Sequence, residues 1–128
     1  MNARPVLQPG ADHPITVEPN PSRITVRVNG RVVADTRRAQ TVREASYPPV
    51  HYIPLADVDQ QLLERTETST YCPYKGDASY YSIVVDGDRR ADAIWSYESP
   101  YPAVAEIANH LAFYPSRVDE ITEQAAVS

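Results

Sequence analysis

From residue 15 the chain alternates apolar and polar side chains with a period of two: Ile15 and Val17, then Ile24, Val26 and Val28 separated by Thr25 and Arg27. Successive side chains of a strand point to opposite faces, so the pattern predicts half-buried β-strands. The run ends at Asn29-Gly30, the strongest short hairpin signal, because both central residues of a type I′ turn need positive φ. "RVVADT", Arg31 to Thr36, is the predicted partner strand. "QTVREAS" follows as a third strand after the Arg37-Arg38 turn, Pro48-Pro49 stops the ladder because proline has no N–H to donate, and "VHYIP" makes a short fourth. Farther on, "ASYYSIVVD" reads as a central strand, Asp86-Gly87 as a second hairpin turn, and "RADAIWSY" as its antiparallel partner. On a regular strand Ala91, Ala93, Trp95 and Tyr97 share one face. Tyr80 and Tyr81 must point opposite ways, and Tyr80 is taken as the inward one.

Two segments carry helical spacing instead. In "LADVDQQLLERT" Asp57 and Gln60 have capping-box spacing and Val58 and Leu62 lie one turn apart, which predicts two helical turns with Asp57 as the cap. In "AVAEIANHL" Val104, Ile107, Ala108 and Leu111 keep the helical period, and Pro102 suits a first turn. "AFYP" and "RVDEI" are expected to form a last hairpin and "TEQAAVS" a frayed tail. The expected chain is a flexible lead-in over 1–14, a β domain over 15–121 and a tail over 122–128. The domain is mainly β: antiparallel sheets with one or two short helices.

A chain of 128 residues is long enough for one hydrophobic core and short for two. No apolar run nears the roughly 20 residues that span a bilayer, and "MNARPVLQPGADHP" lacks the apolar stretch of a secretory signal. The default expectation is therefore a cytoplasmic protein with no membrane partner. One cysteine cannot form an internal disulfide or a cysteine-based zinc site. His13, His51 and His110 show no metal-ligand spacing, so no metal or cofactor is expected. A net charge of −5 and a pI near 5.1 disfavour nucleic acid, whose binding is dominated by cationic contacts. A small molecule is the expected partner, with a homodimer left open.

Candidate chemistry collects in "TYCPYKGDASYY", which holds the only cysteine and the only lysine. Proline after Cys72 restricts that residue to extended geometry, and Gly76 permits the turn back into the next strand. Lys75 is thereby held near the thiol. Either group could be a nucleophile: the thiolate through a neighbouring cation, the amine through desolvation by tyrosines. Glu44, at the end of the third strand, could counter Lys75 or serve as a general base, a role that needs burial to raise its pKa. The plainer alternatives are a small buried thiol, a surface ion pair and a solvated strand carboxylate. Tyr52, Tyr80, Trp95 and Tyr97 complete the candidate pocket, because a sheet this rich in tyrosine either exposes the hydroxyls or lines a polar-aromatic cavity. Nothing places a histidine beside Cys72, and Asp86-Gly87-Asp88 is accounted for as a turn. The leading reading is a small-molecule-binding domain anchored by Lys75 through an anionic or carbonyl group. The alternatives are an enzyme using Cys72 or Lys75 with Glu44 as base, and a protein-interaction module.

In order and spacing, "VREASYPPVHYIPLADV", "TYCPYKGDASYYSI", "AIWSYESP" and "IANHLAFYPSRVDEI" resemble the DUF427 family of small bacterial and fungal proteins. The resemblance covers residues 15 to about 121. It implies a single Mss4-like, or β-tent, domain, with antiparallel sheets set at an angle around a concave face, as in methionine sulfoxide reductase B and the ligand-binding domain of cereblon. The paired Cys-x-x-Cys zinc sites typical of that fold are missing here, and no motif supports a nucleotidyltransferase label sometimes attached to the family.

Overall fold

The computed structural model describes residues 4–126; residues 1–3 of the expected lead-in and 127–128 of the expected tail lie outside the described residues. Ten strands follow in chain order: β1 (Ile15–Asn20), β2 (Arg23–Val28), β3 (Arg31–Thr36), β4 (Ala39–Glu44), β5 (Val50–Pro54), β6 (Leu63–Cys72), β7 (Gly76–Val85), β8 (Asp88–Ser96), β9 (His110–Phe113) and β10 (Glu120–Gln124). They form a seven-stranded sheet in the order β1-β4-β5-β9-β8-β7-β6 and a three-stranded sheet in the order β10-β2-β3. Every pairing is antiparallel. The mainly β, antiparallel, single-domain expectation holds.

Both predicted hairpin turns are present, with φ of 51° and 76° at Asn29 and Gly30 and of 51° and 81° at Asp86 and Gly87. Alternation along the long sheet then builds two separate cores. Ile53, Ile83, Ile94, Leu111 and Phe113 face the three-stranded sheet and pack against Ile24, Val26, Val28 and Val33. Their sequence neighbours Tyr52 and Ala112 face the opposite side, where they join Val42, Tyr80, Tyr97, Val104 and Ile107. Burying Val104 and Ile107 completely contributes about 1.5–3 kcal/mol each, which fastens the 102–107 segment to that second face.

Four local expectations are corrected. The predicted helix over "AVAEIANHL" is a pair of 3₁₀ turns over Pro102–Ile107, broken at Val104 with φ −129°. Asn109 then turns left-handed with φ 59°, and Leu111 belongs to β9, inserted between β5 and β8. The spacing of Val104 and Ile107 suits a 3₁₀ turn equally well, and sheet pairing overrides propensity after residue 107.

"LADVDQQLL" likewise forms two 3₁₀ turns, Leu55–Asp57 and Gln60–Leu62, and "LERTETSTYC" continues as β6. Asp57 caps nothing: it accepts from Thr36 Oγ1 at 2.6 Å and from Arg38 at 3.0 Å, while Asp59 caps the second turn through Gln61 N.

"AFYP" and "RVDEI" are no hairpin, since β9 and β10 lie in different sheets, and β10 runs on through Gln124 into the expected tail. Finally, Ala91 and Ala93 do not share the face of Trp95 and Tyr97. Ala91 is exposed, Ala93 lies in the first core, and Trp95 and Tyr97 lie in the second. Between Tyr81/Ile94 and Ile83/Arg90 the register slips, with Asp92 at φ 47°. The Asp92 carboxylate holds this bulge by accepting from Thr66 and Thr68 Oγ1 of β6, at 2.6 and 2.7 Å.

Candidate functional site

The segment "CPYKG" is the hairpin loop between β6 and β7: Cys72 pairs with Gly76, and Lys75 N donates to Cys72 O at 3.2 Å. Gly76 adopts φ 109°, a conformation that excludes a side chain without strain. The loop is docked on the chain ahead of the 102–107 turns, where Tyr101 N donates to Lys75 O at 3.0 Å. Lys75 is driven inward, with 7% of its surface exposed.

Its ammonium donates to Glu44 Oε1 at the end of β4, lies 3.7 Å from Cys72 Sγ, and sits 6.0 Å from the centre of the Tyr97 ring. The second carboxylate oxygen of Glu44 bonds to His13 Nε2 at 2.7 Å, and the His13 ring stacks on Tyr74 with centroids 4.1 Å apart. The β1–β4 register dictates this contact. Ile15 pairs with Glu44, Pro14 O accepts from Ala45 N, and the residue just before lands beside the carboxylate. His13, set aside on sequence grounds as a lead-in residue, is thus part of the site.

Burial raises the Glu44 pKa, but the hydrogen bonds from Lys75 and His13 outweigh it and hold the carboxyl below its usual range. That is opposite to the shift a general base near neutral pH requires. Glu44 is a fixed anion between two nitrogen donors.

In front of this pair lies an open concavity of about 510 Å³, lined by Val42, Glu44, Tyr47, Pro48, Val50, Tyr52, Lys75, Tyr80, Trp95, Tyr97 and Tyr114. Six of the seven expected site residues line it. Cys72 does not, and meets the site only through the Lys75 ammonium. Tyr80 faces the concavity and Tyr81 packs against the first core.

The rings are fixed by one another and by their polar ends. Trp95 Nε1 donates to Tyr52 Oη at 3.1 Å, the Trp95 and Tyr114 rings pack at 4.4 Å, and Tyr80 Oη pairs with Thr70 Oγ1 at 2.9 Å. Burial pushes the Tyr52 and Tyr97 phenols up, and burial together with Tyr80 pushes Tyr114 up to about 12, so all three are neutral at physiological pH. The additional rings, Tyr47 and Tyr114, carried no sequence signal beyond being tyrosines next to strand ends.

Residues 4–14, expected as a loose lead-in, make specific contacts along one side of the corner. Arg4 pairs with both oxygens of Asp77 and lies 4.2 Å over the Tyr71 ring; Tyr71 Oη donates to Pro5 O; Leu7 N donates to Pro73 O. Among the described residues no group of three or more His, Cys, Asp or Glu side chains could hold a metal ion, and no helix is long and apolar enough to cross a membrane.

The profile of a protein family described as a domain of unknown function, DUF427, matches residues 16–124. The chain belongs to the DUF427 family. The DUF427 match runs from β1 to the last residue of β10 and takes in every residue lining the concavity. His13 and the segment before it lie outside that match. A comparison with curated proteins finds no match to this DUF427 chain.

Proposed function

We propose that this DUF427 domain binds a small molecule bearing a flat ring in the aromatic concavity, with Lys75 as the polar anchor. One observation carries the reading: five tyrosines and the indole converge on a hollow whose base is a buried, carboxylate-paired ammonium. Aromatic walls supply stacking area, and a few placed polar groups supply orientation, which is the usual make-up of a ligand site. An ammonium has three protons. Glu44 takes one, the weak contact to Cys72 Sγ engages a second, and the third is free for a carbonyl or carboxylate oxygen of the ligand. A concave antiparallel sheet used in this way accords with the β-tent resemblance, and the lone reduced cysteine with a cytoplasmic location.

Trp95 is the only tryptophan, and its ring borders both this hollow and an apolar cleft beside Ile24 and Phe113, so its emission reports binding at either and the Lys75 variant tells the two apart. Titration with a panel of ring-bearing carbonyl and carboxylate compounds should shift or quench that emission, and Lys75→Met should weaken the response at least tenfold. Silence across the panel, or responses that ignore Lys75→Met, would sink the reading.

An enzyme with Cys72 or Lys75 as nucleophile is less well supported, because Glu44 is shifted the wrong way for a base and Cys72 is set behind the ammonium. A protein-docking face is also less well supported: of the cavity rings only Tyr47 is strongly exposed.

A further inference from the structure

We infer that the protein has a second binding site, an apolar cleft between its two sheets that takes an uncharged ring compound with no polar group to satisfy. The cleft originates in the strand pairing. β5 and β9 hold each other only at Ile53–Leu111 and Pro54–His110. Toward the other end of the two strands β5 stays with β4, through Val50–Val42 and Tyr52–Gln40, while β9 stays with β8, through Phe113–Ile94 and Ala112–Trp95. The long sheet therefore parts between β5 and β9. At the parting lies a cavity of about 350 Å³, bounded by Ile53, Trp95 and Phe113 of the long sheet and by Ile24, Val26 and Ile121 of the three-stranded one.

The walls decide what fits. Ile24, Val26 and Ile53 are fully buried and Phe113 nearly so, which makes the floor hydrocarbon. Every polar side chain on the wall is already engaged. Trp95 Nε1 donates to Tyr52 Oη, and His51 bonds to Thr41 Oγ1 at 2.9 Å and faces Glu123 at 3.4 Å. Asp119 accepts from Asn29 N at 2.6 Å and pairs with Arg90 at 3.1 Å, and Glu120 pairs with Arg27 at 3.4 Å. A carboxylate or amide entering here would give up its water and meet no free side-chain donor, and the acidic groups at the rim would repel an anion as well. An apolar compound has no such loss, and it gains dispersion contacts with walls that offer a buried water little to bond to. The volume is at the small end of ligand pockets and suits one or two rings. The preference is thus opposite to that of the lysine-anchored hollow, although Val50 and Trp95 line both.

The test is a methyl NMR titration of the full-length protein, labelled at isoleucine and valine, with toluene and with benzoate. Toluene should shift the methyls of Ile24, Val26 and Ile53, which border the cleft and not the hollow, and leave Val42, which borders the hollow and not the cleft. Benzoate should leave the three cleft methyls in place. Lys75→Met should keep the toluene affinity within about twofold, because the sites are separate. Ile121→Phe, on the outer strand β10, puts a ring into the same space and should weaken toluene about tenfold or more. Toluene shifts that are absent up to saturation, or confined to Val42, overturn the inference, and this map of the unaltered protein decides the matter even if Ile121→Phe does not fold. Equal shifts with benzoate overturn the ligand class, and a toluene affinity that Ile121→Phe leaves unchanged overturns the location.

Discussion

Replacing Glu44 by Gln tests the physical basis of the site most directly, because it removes the counter-charge of a buried ammonium while conserving shape. Lys75 and Glu44 side chains are 9% and 17% exposed, which sets the pair between two regimes. Surface ion pairs contribute about 0–1 kcal/mol, and breaking a fully buried pair costs about 3–5 kcal/mol because one charge is left without an answer. Two unit charges at about 4 Å attract by about 4 kcal/mol at an effective dielectric near 20, and the desolvation of both ions cancels part of that. The expected loss for Glu44→Gln is therefore about 2–3 kcal/mol. Lys75→Met should cost less, about 1–2 kcal/mol, since Glu44 retains His13 and some access to water. The double variant should then be little worse than Glu44→Gln alone, giving a coupling energy near 1.5 kcal/mol.

Urea melts followed by Trp95 emission measure all four proteins. With a slope near 1.5 kcal/mol per molar, Glu44→Gln should move the midpoint down by about 1.5 M. The pH dependence has a definite sign. Because the folded-state pKa of Glu44 is depressed, its stabilisation is present above the unfolded carboxylate value, about 4.3, and is lost as the pH falls through the lower folded value. The gap between wild type and Glu44→Gln should accordingly close below about pH 4. A coupling energy under about 0.5 kcal/mol, or a gap that stays constant into acid, would show the pair to be a solvated surface contact and remove the anchor.

Three further outcomes are expected. Gly76→Ala places a side chain at φ 109° with its Cβ 3.5 Å from Ser99 O, so it should cost more than about 1 kcal/mol in the same melts and weaken ligand-induced changes in Trp95 emission. Tyr52 and Tyr97 are held neutral by burial; in a spectrophotometric titration of the native protein they should stay un-ionised after the exposed phenols have titrated. Their raised values mean that this stabilisation is complete below about pH 10 and lost as the pH climbs above it, so full ionisation of both in the folded protein near pH 10 would contradict their burial. Arg4→Ala removes the clamp on Asp77 and Tyr71, and iodoacetamide labelling of Cys72, the only cysteine, should accelerate severalfold as the 4–14 segment lifts from the corner; an unchanged rate would mean the segment does not shield the thiol.

The elements legible in the sequence were those whose cause is local. Asn29-Gly30 and Asp86-Gly87 announce their turns because the left-handed φ values are demanded by two adjacent residues alone. β6 was invisible for the opposite reason: it is an edge strand, exposed along most of "LERTETST", so it carries no apolar alternation to read. β9 has four residues, three of them buried, inside a stretch whose apolar spacing also fits a helix. Only its place between β5 and β8 decides the matter. The slip at Asp92 belongs to the same class, since what stabilises its left-handed backbone is a pair of threonine hydroxyls on another strand.

The site divides along the same line, and the division says something about how it works. Cys72 and Lys75 are brought together by a two-residue link, Pro73-Tyr74, so their contact could be read from the loop; Glu44 could be paired with Lys75 on charge grounds, yet their 31-residue separation hides the distance. His13 could not be inferred at all, because its contact with Glu44 follows from Ile15 pairing with Glu44 across β1 and β4. A one-residue slip of β1 against β4 would carry His13 away from Glu44 and turn Val17 off the second core, while Glu44, on β4, would stay beside Lys75. The second donor to the Glu44 carboxylate therefore depends on β1 docking correctly, and that couples the ligand site to the edge of the sheet. Val17→Asp, opposite Val42 in that pairing and packed against the second core, should weaken β1 docking and blunt the Trp95 response to ring-bearing carboxylates. An unimpaired response in a variant whose melts show β1 destabilised would mean that the hollow keeps its shape without the β1 edge, and the case for coupling between that edge and the site would fail.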